Sequence, residues 1–246
     1  MVIILQTGYG RPACREREKE DKTMTRELFR QAIAKFLLGL VTVGLLLFLP
    51  AGTLHWGDAW LLIALLFVPM FLAGLVMMAR SPELLRKRLS ARESEPEQKK
   101  VIALSGLMFL AAFVTAGLNF RFGWIAMPRW TVWAAAILFL LGYALYAEVL
   151  RENAYLSRTV EVQAGQKVID TGLYGIVRHP MYAATLLLFL AMPLVLASPL
   201  SFLILLCYLP LIALRIRSEE AVLAQGLEGY TAYMQRVRWR LLPGIW

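Results

Sequence analysis

Four stretches of this chain, residues 33–54, 59–79, 101–118 and 130–147, each run for about one bilayer crossing almost without a charge, Lys35 at the mouth of the first being the exception. A hydrocarbon layer roughly 30 Å thick takes about 20 apolar residues per helical span, and only helices or closed barrels satisfy their backbone inside it. The composition agrees: 59% of the 246 residues are hydrophobic and the mean hydropathy is +0.60, against about 45–50% apolar in soluble domains. A fifth run, 181–214, is too long for one perpendicular crossing and holds Pro193 and then Ser198-Pro199 near its middle. Proline interrupts a helix by removing a donor and clashing with the preceding turn, so this run reads as a hairpin. The fold class is therefore all-α, a polytopic membrane bundle of about six transmembrane helices with a C-terminal helical hairpin and an interfacial tail helix.

The basic residues fix an orientation. They gather before the first run, in the 80–100 connection, between 151 and 178, and in the tail, whereas only Arg121 and Arg129 fall on the opposite side. Cytoplasmic loops are enriched in lysine and arginine, so both termini and the polar regions are expected to face the cytoplasm. The net charge of +9 then answers to anionic lipid and asks for no nucleic acid. Cys14 and Cys207 lie in different environments without metal-ligand spacing, which argues against a disulfide framework or a metal site. Residues 1–30 are charged early and lack the order of regions of a signal peptide; they are expected to be poorly ordered. Residues 31–150 form the four-helix part with the basic connection at 80–100, itself either an amphipathic helix or a solvated loop. Residues 151–246 are a separate region in character.

That last region carries the polar chemistry. From Arg151 to His179 the chain is irregular, with glycines at 165, 172 and 175 and short alternation at 159–162. Long ordered loops of this kind are often functional. It ends at "RHPMY", residues 178–182. Pro180 suits a first helical turn and pushes His179 out of helical geometry, so a helix N-terminus, with its unpaired amides, opens beside His179 as an anion site. Tyr182 lies one turn in. At the far end of the hairpin "RIRSEEAVL", 215–223, places Arg215 and Glu219 four residues apart on one face, followed by Glu220. Charges at the edge of a span are costly if they face lipid, so these should face a cavity or a partner. Beyond them Leu223, Leu227, Tyr230, Met234 and Val237 follow a helical stripe that is expected to close the mouth from below.

With "GLYGIVRHPMY" at 172–182, "RIRSEEAVL" at 215–223, "GYTAY" at 229–233 and "RLLPGIW" at 240–246, the C-terminal part resembles the isoprenylcysteine carboxyl methyltransferase family and its phospholipid methyltransferase relatives, and looks closest to bacterial members. The resemblance implies an S-adenosylmethionine site contacted by Gln166, Lys167, Val168, Ile169, Tyr174, His179, Pro180, Met181, Tyr182 and Glu219. It implies catalytic roles for Arg215, Glu219 and Glu220, Arg215 lying near a substrate carboxylate. It also implies a lipophilic small molecule or prenylated substrate arriving sideways from the bilayer, with no metal, in a bacterial inner membrane. Gln166 and Lys167 depart from the polar pair of the eukaryotic enzyme. Carboxyl O-methylation leads among the possible reactions; N- or S-methylation of a phospholipid or small lipophile, an NADPH-dependent sterol-type reductase sharing the RH-x-x-Y stretch, and a non-enzymatic membrane scaffold are the alternatives.

Overall fold

A computed structural model describes residues 12–90, 96–153, 155, 162–163 and 165–246, and among these the only regular elements are helices. The alternation at 159–162 lies mostly outside the described residues. Helix α1, Pro12–Ala51, is followed by α2, Gly57–Arg80, a short α3, Pro82–Ser90, then α4, Pro96–Phe122, and α5, Arg129–Glu152. After a long loop come α6, Pro180–Val195, α7, Pro199–Leu206, α8, Tyr208–Gly226, and α9, Tyr230–Arg236. Segments Arg26–Ala51, Gly57–Arg80, Lys99–Phe122, Arg129–Glu152 and Pro199–Gly226 are long and apolar enough to cross a membrane, whereas α6 is a shorter apolar helix. The protein is a multi-pass helical membrane protein.

The helix starts earlier than the charge pattern predicts. Residues 12–30, expected to be poorly ordered, belong to α1. Beyond Pro12 at its first turn the segment has no glycine or proline and is rich in arginine, glutamate and lysine, residues with high intrinsic helix propensity. Residues 1–11 lie outside the described residues. In the 80–100 connection the amphipathic alternative forms over α3: Leu85 is buried and Lys35 donates its Nζ to the Leu89 carbonyl.

The main core joins α1, α2, α4, α5 and α6 through Leu47, Phe67, Phe113, Phe139 and Leu188, with Trp56 from the turn ahead of α2. Trp56 stacks on Phe120 with centroids 4.8 Å apart. Two glycines set how closely these helices cross. A Cβ at Gly117 would lie 2.8 Å from the Leu47 carbonyl oxygen of α1, and one at Gly142 would lie 2.9 Å from Leu188 Cγ of α6. Outside this core, Leu38, Leu49, Leu107 and Ile137 are exposed, the distribution of a protein solvated by lipid rather than water.

The hairpin expected over 181–214 is present, with unequal arms. α6 carries Pro193 near its end; Ala197 takes a left-handed φ of 52°; and the Ser198 hydroxyl accepts from the Ser201 amide, starting α7 with Pro199 in its first turn. α7 and α8 meet at Cys207 to form the returning arm. The ends of the two arms, near Pro180 and Glu219, therefore lie side by side. The tail differs from the single helix predicted. α8 stops at Gly226, where Leu227 turns extended at φ −112°, ψ 114°, and α9 begins anew after Gly229, whose φ of 81° is open to a glycine.

Candidate functional site

The loop after α5 is held at both ends by side chains. Asn153 accepts from the Tyr155 amide at 2.9 Å and donates to the Tyr174 hydroxyl at 2.9 Å. Glu152 accepts from the Leu173 amide at 3.0 Å, fixing the short 3-10 turn Gly172–Gly175. The chain then reaches Arg178 and His179, whose amides donate to the Trp239 and Arg240 carbonyls, both at 2.9 Å. His179 sits at φ −127°, ψ 59°, outside helical geometry, with Pro180 in the first turn of α6.

The α6 N-terminus does face negative charge, but the chain supplies it. Glu219 and Glu220 come from α8 to this end. The Tyr182 hydroxyl donates to Glu219 and the Arg215 Nε donates to the Tyr182 hydroxyl at 2.9 Å, so a tyrosine from the other arm joins two residues that share one face of α8. His179 Nδ1 lies 4.0 Å from Glu219. Two carboxylates here suit the positive pole of the α6 dipole.

The two glutamates have different situations. Glu220 is 4% exposed and is held by Arg178 Nε at 2.7 Å, His179 Nε2 at 3.2 Å and Arg240 Nε at 2.8 Å. The Arg178 guanidinium also donates to the Val237 and Arg238 carbonyls at 2.7 and 2.9 Å. Glu220 is thus the centre of a buried ionic cluster joining the start of α6, the end of α8 and the tail. Glu219 is part-exposed and faces open space.

That space is a cavity which, with its open mouth and the solvent before it included, takes in about 830 Å³. Of the residues predicted from the sequence, Gln166, Lys167, Val168, Ile169, Tyr174, His179, Met181, Tyr182, Arg215 and Glu219 all line it. Pro180 and Glu220 do not line it. Pro180 is buried in the helix start, and all of Glu220's proximity to the site is spent on its three basic partners. Asn153, Tyr155, Arg178, Leu223, Leu227, Tyr230 and Tyr233 also line the cavity. Leu223, Leu227 and Tyr230 lay on the predicted apolar stripe, and their facing the cavity follows from the break at Gly226–Gly229. Asn153 and Tyr155 had no signal beyond their neighbourhood, whereas Tyr233 closes the GYTAY stretch. Leu227, Tyr230, Tyr233 and Val237 pack with Val162 and Val168, closing one side of the cavity. Burial pushes the Tyr174 phenol up to about 12, so it stays a neutral donor and acceptor in this wall.

Residues 130–228 match the family model described as phospholipid methyltransferase. The match begins in α5 and runs through the cavity loop, the hairpin and both glutamates, stopping before Tyr230, Tyr233 and Arg240. A Delta(14)-sterol reductase of Methylotuvimicrobium alcaliphilum is 24% identical over 135 residues, covering 49% of this chain and 32% of that protein. The chain thus spans about a third of the length of this relative. Among the described residues no group of three or more His, Cys, Asp or Glu is placed to hold a metal ion.

Proposed function

We propose that this protein is an integral-membrane methyltransferase that uses S-adenosylmethionine on a lipophilic acceptor, with residues 151–246 as its catalytic region and a carboxyl oxygen as the methyl acceptor. The observation that carries the reading is the meeting of Arg215, Tyr182 and Glu219 at one wall of a cavity inside the segment that matches the methyltransferase family model. The sidedness of the basic residues supports a cytoplasm-facing site in a bacterial inner membrane, with substrate arriving from the surrounding lipid.

The residues present fit the cofactor. The wall formed by Val168, Ile169, Leu223 and Leu227 suits a flat heteroaromatic ring, and Glu219, with tyrosines around it, suits a cationic sulfur by charge and by ring-face attraction. When bound, S-adenosylmethionine supplies an electrophilic methyl group on that sulfur. The chain's own part is placement. Tyr182 holds the Glu219 carboxylate by donating to it, and Arg215 holds Tyr182. Arg215 offers a cation to a substrate carboxylate, which is already ionised at neutral pH and needs orientation more than a general base. Apolar walls exclude competing water and strengthen these interactions.

Calorimetric titration of the detergent-purified protein should give saturable binding of S-adenosylmethionine. Hydrogen bonds and contacts to charged groups contribute about 1.5–3 kcal/mol. Glu219→Gln should therefore weaken S-adenosylmethionine about 10- to 100-fold and the uncharged S-adenosylhomocysteine less. Arg215→Ala should weaken cofactor affinity less than Glu219→Gln does, by loosening Tyr182, and depress methyl transfer to the acceptor more. Equal loss for both ligands in Glu219→Gln would remove the charge-pairing role. The likeness to a sterol reductase favours a second reading, a reductase using NADPH; saturable NADPH binding with none for S-adenosylmethionine would put it first.

A further inference from the structure

Five tyrosines line the cavity, and four of them have hydrogen-bond partners. The Tyr155 hydroxyl donates to the Gly165 carbonyl at 3.1 Å, Tyr174 receives from Asn153, Tyr182 links Arg215 to Glu219, and Tyr233 donates to the Tyr174 carbonyl at 2.8 Å. Tyr230 is different. It is 4% exposed, its ring lies 5.7 Å from that of Tyr233, and its hydroxyl is, among the described residues, the one buried side-chain nitrogen or oxygen without a partner. A buried hydroxyl left unpaired lowers stability, and phenylalanine would pack the same space without that penalty. An orphaned donor in the wall of a cavity points to a partner that arrives with the ligand.

We propose that the Tyr230 hydroxyl is a ligand-binding donor, pairing with a neutral acceptor atom, a ring nitrogen or sugar oxygen, of the nucleoside bound in this cavity. The assignment rests on the cofactor reading given above and adds a residue outside the matched segment 130–228. The neutral class of acceptor follows from the surroundings. Burial above all, and then the Glu220 and Glu219 carboxylates, hold the phenol well above the ordinary tyrosine range, so it remains protonated and donates. Those same carboxylates repel an anionic acceptor. Tyr230 stands at the first position of α9, directly after the left-handed Gly229, so the hydroxyl is carried by the segment that closes the cavity. The same pairing would tie that segment to the ligand.

The test uses the full chain in detergent, with S-adenosylhomocysteine as the probe in calorimetry and thermal unfolding measured without ligand. Tyr230→Phe should bind the probe about five- to tenfold more weakly than the parent, while its unliganded unfolding temperature stays equal or rises. Equal affinity of the two proteins overturns this assignment and leaves the cofactor reading standing. A weaker affinity accompanied by a lowered unfolding temperature without ligand also overturns it, because the hydroxyl would then be structural. If the parent itself fails to bind the probe, the cofactor reading falls and this assignment with it.

Discussion

Glu220→Ala is expected to lower the stability of the protein by about 3–5 kcal/mol, the cost of removing one partner from a buried ionic cluster, and to abolish cofactor binding with it. The side chains of Glu220, Arg178 and His179 are 5%, 4% and 4% exposed, so the freed guanidinium cannot turn to water. Arg178 would keep its bonds to the Val237 and Arg238 carbonyls and so be trapped as an uncompensated charge at the start of α6. Glu220→Gln keeps the shape but removes the charge that three donors share, and should recover only part of the loss. Arg240→Ala is the informative contrast. Its side chain is 30% exposed, so solvent screens the pair and the expected loss is about 1 kcal/mol or less. Denaturation in detergent of the three variants should rank them in that order. A Glu220→Ala protein as stable as Arg240→Ala would show that Arg178 and His179 find other partners.

Gly172→Ala is the second large effect, and it should act on the cavity loop. Gly172 sits at φ 51°, and a Cβ there would lie 1.4 Å from Glu152 Oε1. The left-handed backbone alone costs an alanine about 1–2 kcal/mol. The added methyl also evicts the Glu152 carboxylate that accepts the Leu173 amide, leaving a donor unpaired for about 1–3 kcal/mol more. The turn leading to Tyr174 and onward to His179 would shift, so S-adenosylhomocysteine affinity should fall at least tenfold while the membrane-embedded helices stay intact by circular dichroism. The double variant Gly172→Ala/Glu152→Ala separates the two contributions: it relieves the collision but not the backbone strain, and should be less impaired than the sum of the single changes. Strict additivity would mean that the carboxylate had simply moved aside.

What could be read from the residues, and what could not, divides along chain separation. The charge-free runs at 33–54, 59–79, 101–118 and 130–147 fall inside α1, α2, α4 and α5 apart from a few terminal residues, because hydropathy over 20 residues is a local property. The hairpin was visible for the same reason, since Pro193 and Ser198-Pro199 mark its turn. Arginine at a span's edge commonly sits in the headgroup region, whereas Arg178 in the fold is buried against Glu220, 42 residues away. The site shows the same limit. Arg215 and Glu219 were correctly placed on one face, but their link passes through Tyr182, contributed by the other arm. The tail stripe concealed a break, because apolar spacing continues across Gly226 and Gly229 whether the helix bends or not.

Among the described residues, every side chain that lines the cavity comes after residue 152, and none comes from α1 to α4. Mutational scanning should therefore separate into two populations. Upstream substitutions can reach the ligand only through the packing behind the cavity wall, as where Met108 and Ala112 of α4 cluster with Tyr182, so they should reduce the amount of folded protein before they alter affinity. Downstream ones can change selectivity at constant yield, which makes the second half the place to re-aim the protein toward a different acceptor and the first half a chassis to be left alone.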